Sequence, residues 1–72
     1  MTMTPLTSND QKNDLPALTK VIRVYTSANG LKQETEFLAA KKSNGYVRLV
    51  AKNAFVVHDI DFDARDTKWF IA

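Results

Sequence analysis

The sequence predicts a mainly β fold: a small antiparallel barrel of four to five short strands with a short C-terminal helix. Three observations lead there. From residue 21 onward, β-branched and aromatic residues gather in short runs with period-two alternation, the pattern of half-buried strands. Turn signals separate the runs, at Asn29-Gly30 and again at residues 42–45; Asn-Gly is a strong hairpin dipeptide because both residues tolerate a left-handed backbone. Finally, a meander of this size must curl to bury one continuous face and protect its edges.

The elements follow in order. Residues 1–19 are rich in Thr, Ser, Asn, Asp and Pro, with isolated leucines at 6, 15 and 18; no period of 2 or 3.6 runs through them, which predicts a flexible tail. Leu15 and Leu18, on either side of Pro16, are the residues of that tail placed to dock on the domain edge. The domain itself is expected over residues 20–72. Val21, Ile22, Val24, Tyr25 and Thr26 read as a first strand, and residues 32–41 as a second. In the second, Thr35, Phe37 and Ala39 share the inward face, while Glu34, Glu36, Leu38 and Ala40 share the other. Residues 46–50 form a third, Val47 and Leu49 on one face and Tyr46, Arg48 and Val50 on the other. Asn53 suits the reversal that follows. Residues 54–58 make a fourth, and Ile60 can open a fifth. Asp63 then reads as the N-cap of a two-turn helix, with Asp66 near its positive end and Arg65 four residues from Trp69. The expected core is Ile22 or Val24 with Phe37, Ala39, Val47, Leu49, Phe55, Val57, Ile60, Phe62 and Phe70.

Composition narrows the chemistry. Seventy-two residues allow one small domain, 44% of them apolar and 25% charged, an ordinary globular balance. Without cysteine there is no disulfide and no thiolate zinc site. The lack of cysteine also fits a cytoplasmic location, and no apolar run is long enough for a membrane-spanning helix. The amino terminus lacks the basic-then-apolar pattern of an ordinary signal peptide. The formal charge of +2 names no partner by itself. Its distribution is uneven: residues 20–52 carry Lys20, Arg23, Lys32, Lys41, Lys42, Arg48 and Lys52 against Glu34 and Glu36, while Asp59, Asp61, Asp63 and Asp66 make the end acidic. A basic centre can steer an acidic ligand; a basic centre and an acidic end can also pair two copies.

The run Tyr25-Thr26-Ser27, Gly30, Glu36-Phe37, Gly45, Val47 and Leu49, Asn53, Val56-Val57, Phe62-Asp63 and Asp66 resembles the first Sla1 homology domain over residues 22–71. Each element is hairpin chemistry; their joint spacing carries the likeness. The chain departs from the family pattern where Tyr25 replaces tryptophan, Thr35 an alanine, Asn53 a glycine, Phe62 a leucine and Asp63 the capping serine. The resemblance implies an SH3-like small barrel that binds a protein or peptide, such as the Asn-Pro-Phe-x-Asp peptides read by the endocytic version, and it implies neither an enzyme nor a cofactor.

Candidate binding residues lie on the outward face of the second and third strands. An aromatic ring, a small apolar strip and fixed cations can grip a peptide with one apolar anchor and one acidic residue. This selects Tyr46, Arg48 and Lys52, with Lys32 or Lys41 in support, and Trp69 as a candidate interface residue. His58 and Asp59 are adjacent on a strand and point to opposite faces, which opposes a catalytic pair. Asp59, Asp61 and Asp63 lack the glycine and glutamate that a calcium loop uses. No metal or cofactor is therefore expected. Two other partners remain open: a small phage or bacterial protein of this kind can block one host protein through a sheet edge, and a small barrel with lysines and aromatics can bind single-stranded nucleic acid weakly, although the acidic end opposes it.

Overall fold

The computed structural model describes residues 3–42 and 44–72; Met1, Thr2 and Ser43, the last inside the second turn signal, lie outside the described residues. Within them the chain runs β1 (Thr4–Pro5), α1 (Asn9–Asn13), β2 (Lys20–Thr26), β3 (Lys32–Lys41), β4 (Val47–Ala51), β5 (Val56–Val57) and β6 (Thr67–Ile71). All six strands form one open antiparallel sheet in the order β1-β6-β2-β3-β4-β5. The fold is mainly β, as the alternation predicts.

The β2–β3 hairpin pairs Lys20 with Leu38 through Thr26 with Lys32. Gly30, with φ +85°, makes its turn, and Ser27 N–H closes it on the Leu31 carbonyl at 2.8 Å. The β3–β4 hairpin pairs Phe37 with Ala51 through Lys41 with Val47, and Gly45 turns it at φ +81°. Alternation then sends Val21, Phe37, Ala39, Val47, Leu49 and Ala51 to one face, where all are buried with Ile60 and Trp69. The Phe37 and Trp69 rings meet at 5.4 Å between centroids, within the range where aromatic pairs attract.

Four expectations are corrected. The C-terminal helix is absent: Thr67–Ile71 is β6, hydrogen-bonded between β1 and β2. A two-turn helix cannot stand alone, whereas β2 offers a long edge to the alternating Thr67, Trp69 and Ile71. Asp63 caps no helix; its N–H donates to Asp61 Oδ1 at 3.0 Å, so Asp61 is the side chain that closes the turn. Second, the expected tail is built into the fold. Leu6 and Leu15 are core residues, and Leu6 N–H bonds the Trp69 carbonyl at 2.9 Å. Leu18 is instead exposed, at φ +68°. Third, the fourth strand is only Val56–Val57, and Ile60 is buried in a connection instead of opening a strand. Ala54, not Asn53, takes the left-handed backbone (φ +67°), while Asn53 Oδ1 accepts the Phe55 N–H at 3.2 Å. Fourth, the core differs at its margins. Val21 supplies the first strand's core residue, Phe55 is 56% exposed, and Val57 and Phe62 are only partly buried. Ile22 is buried as expected, but on the opposite face, where it pairs with the partly buried Phe70.

Helix α1 explains how so polar a segment is held. Ser8 is its N-cap, extended at φ −150°, and its hydroxyl accepts the Gln11 N–H at 3.1 Å. Gln11 Oε1 in turn accepts the Thr7 N–H at 3.0 Å, a variant of the capping box. Five residues cannot hold a helix without docking. Docking comes from Asn9, Lys12 and Asn13, whose i, i+3, i+4 spacing places them on one face. Asn9 grips both backbone groups of Ile60, accepting its N–H at 2.8 Å and donating to its carbonyl at 3.1 Å. Asn13 Oδ1 accepts the Val47 N–H at 3.1 Å, and the Lys12 ammonium donates to the His58 carbonyl. The helix thus ties the start of the chain to β4 and to the connection after β5.

Candidate functional site

The face of the sheet opposite the core carries a shallow groove of about 400 Å³, whose floor includes Leu38 and Val50 and whose rim includes Lys20, Glu36 and Lys52. Register builds it: Lys20, Leu38 and Val50 are cross-strand neighbours on β2, β3 and β4, so their side chains share one face. Leu38 is 46% exposed, a large apolar residue with open surface. Lys20 Nζ lies 3.7 Å from Glu36 Oε1, both side chains about half exposed. Such a pair contributes little to stability, but both residues line the groove. Lys52, exposed in the turn after β4, supplies a second cation on the rim.

The expected site residues divide around this groove. Lys52 lines it. Arg48 is on the same face two residues from Val50, opposite Ala40; it is half-buried, and its Nε is buried without a hydrogen-bond partner among the described residues. Lys32 and Lys41 stand at opposite ends of β3, about 30 Å apart at the rise of a strand, so they cannot serve one short ligand together. Trp69 is buried against Phe37, its ring taken up by the core.

Tyr46 belongs to a different cluster. Its hydroxyl donates to the Asp59 carboxylate, and the Lys12 ammonium sits over its ring at 4.7 Å from the centroid. Lys12 Nζ also lies 3.7 Å from Asp59 Oδ1; the Lys12 side chain is fully buried while Asp59 is mostly exposed. Burial pushes the Lys12 ammonium below its ordinary pKa, opposed by the charge and hydrogen bonding of Asp59. The hydrogen bond to Asp59 pushes the Tyr46 phenol up, helped by burial and by the carboxylate's charge. A buried cation is stable only when charge, hydrogen bond and ring all answer it. This cluster therefore fastens α1 to the sheet, and it takes Tyr46 out of the free aromatic surface.

Sequence reasoning missed Lys12, since a lone lysine in a polar segment gives no sign of burial. It also missed that Arg23 and Phe55 share a surface. These two line adjoining recesses on the core side of the sheet, where Phe55 packs edge-on against Phe37 with centroids 6.4 Å apart. The alternation placed Arg23 opposite Thr35 and Trp69; the exposure of Phe55 had no sequence signal. Among the described residues no group of three His, Cys, Asp or Glu side chains is placed to hold a metal ion. No known protein family, curated protein or solved structure matches the chain.

Proposed function

We propose that the chain is a non-enzymatic, SH3-like module that binds a protein or peptide by one apolar anchor and one acidic residue. The observation that carries this reading is the groove over Leu38 and Val50 with the exposed Lys52 on its rim. An apolar or aromatic ligand residue covers Leu38, and a carboxylate pairs with Lys52, since Lys20 is already answered by Glu36. Arg48 supplies a second cation on the same face. The edge strand β1 at one end of the sheet leads directly into α1, which docks on β4 and on the connection after β5 toward the other end; this return of the chain supports a barrel-like body. The likeness to the first Sla1 homology domain rests on the hairpins of β2 to β4; β6 stands where that likeness implies a helix.

The test uses the full chain, labelled with nitrogen-15, and an acetylated, amidated Asn-Pro-Phe-Ser-Asp peptide. Amide shifts are expected at Leu38, Val50 and Lys52. Lys52→Glu is expected to weaken binding by about tenfold, equivalent to about 1.4 kcal/mol, and Arg48→Ala by less. Shifts confined to the Arg23–Phe55 side, or unchanged affinity in Lys52→Glu, refute the groove. Binding of a single-stranded oligonucleotide with steep salt dependence would favour nucleic acid instead.

A further inference from the structure

We propose that residues 31–35 form a self-pairing edge, through which two copies of this chain join their β3 strands antiparallel about Gln33. The first ground is an uncovered strand. β4 ends at Ala51, opposite Phe37, so no strand among the described residues lies beside residues 32–36 on that side. The outermost strands β1 and β5 are two residues each, and Pro5 has no backbone donor. β3, in contrast, leaves a longer stretch open.

The second ground is hydrogen-bond phase. Ser27 N–H bonds the Leu31 carbonyl and Ala39 N–H bonds the Thr19 carbonyl. The odd-numbered residues of β3 therefore direct their backbone groups to β2. At the other end Lys42 N–H bonds the Tyr46 carbonyl, placing the even-numbered groups on the β4 side. Beyond the end of β4, Lys32 and Glu34 thus point both N–H and C=O at the open edge. A recess of about 360 Å³ lies beside Glu34 and Glu36, with Lys52 and Asn53 across it, and marks where a neighbouring strand stops.

The third ground is charge, and it selects the occupant. Charged side chains on an edge normally discourage pairing. Here they have opposite signs two residues apart, which makes the edge complementary to itself in one register. Pairing about Gln33 sets Lys32 of each copy opposite Glu34 of the other, with both residues exchanging N–H···O bonds. That yields four backbone bonds and two Lys–Glu pairs, and lays Leu31, 65% exposed, against Thr35 of the second copy. Registers with edge-facing residues paired advance the centre by one residue. Centring on Lys32 opposes two lysines, centring on Thr35 opposes Glu34 with Glu36, and centring on Glu34 opposes two glutamates at its middle although Lys32 then meets Glu36; like charges directly opposite are destabilising. Centring on Leu31 runs the pairing off the start of β3 into the turn at Gly30. Only the register about Gln33 keeps the pairing within β3 with every opposed charge of opposite sign, and its symmetry is the closed twofold of an isologous dimer.

Sedimentation velocity on the full chain, from about 10 μM to about 1 mM at low salt, tests this, since self-association must follow mass action. A monomer–dimer equilibrium is expected, weakened as salt screens the Lys–Glu pairs. Glu34→Lys is expected to abolish the dimer, and Lys32→Glu combined with Glu34→Lys to restore it. Glu34→Pro removes an edge-facing donor that β2 does not use, so it should leave a folded monomer by circular dichroism. A wild-type chain that stays monomeric throughout, including one that instead takes up a foreign extended peptide at this edge, overturns the proposal. So does a dimer that survives Glu34→Lys, or a charge-swapped double variant that stays monomeric while folded.

Discussion

Replacing Asn9 by alanine tests whether α1 is part of the folded unit. Asn9 supplies the partners of both the N–H and the carbonyl of Ile60, at 2.8 and 3.1 Å, and Ile60 is itself buried. Alanine leaves both backbone groups unpaired next to the core. Each buried orphan costs about 1–3 kcal/mol, offset by a few tenths because alanine is the better helix former. The expected loss is about 3 kcal/mol. A chain of 72 residues has about 4–11 kcal/mol in total at the usual per-residue stability, so a large share is removed. The melting temperature should fall by roughly 10–25 °C for a domain of this size. Urea unfolding followed by fluorescence of Trp69, which packs on Phe37, measures it directly. The denaturant slope should stay the same if the folded state remains intact. Asn9→Asp keeps the acceptor for Ile60 N–H and loses the donor, so it should fall between alanine and wild type. If Asn9→Ala lies within about 0.5 kcal/mol of wild type, α1 does not hold the Ile60 connection and the account of the amino-terminal segment is wrong.

Two further outcomes follow from backbone geometry and titration. A Cβ at Gly30 would meet nothing within 4 Å, yet φ is +85°; Gly30→Ala should therefore cost about 1 kcal/mol through the backbone alone, and Gly30→Asn less. Equal stability of the alanine variant by thermal melting would contradict the turn. The Lys12–Tyr46–Asp59 cluster predicts a stability that depends on alkaline pH in two directions. Lys12 is held below its ordinary 10.5, so between its folded pKa and 10.5 the unfolded chain binds more protons, and this group's contribution to stability rises with pH. Tyr46 is held above its ordinary 10.0, so its contribution is complete below 10.0 and declines as pH climbs past it. In urea titrations across this range, Lys12→Met should remove the rise and Tyr46→Phe the decline; profiles parallel to wild type would show that the cluster is not formed.

Much of the sheet was legible in the residues themselves. Phe37, Ala39, Val47 and Leu49 alternate with polar neighbours and fall on the buried face as expected, because side-chain direction in a strand follows parity alone. Gly30 and Gly45 mark the two tight turns for the same local reason. The outward face of β3 and β4, with Leu38, Val50 and Lys52 on or beside it, was equally readable. So was the capping spacing from Ser8 to Gln11, a signal present in the chain and passed over amid its polar neighbours.

Residues 67–71 were ambiguous by nature. Acidic residues ahead of them suit a helix start, β-branched Thr67 and Ile71 suit a strand, and five residues are too few for periodicity to decide. The open edge of β2 decided it. Phe55 followed the apolar rule and is exposed all the same, because the left-handed turn at Ala54 re-aims the chain. Helix α1 is the extreme case: its docking face is Asn9, Lys12 and Asn13, which hydrophobic patterning reads as solvent-facing. By itself the sequence determined which side of each central strand faces the core and where the hairpins turn, since these depend on parity and on backbone freedom within a few residues. Only the tertiary structure decided that Lys12 is buried, that Tyr46 is engaged and that the amino-terminal segment belongs to the fold, because each depends on backbone or charge partners 13 to 51 residues away along the chain.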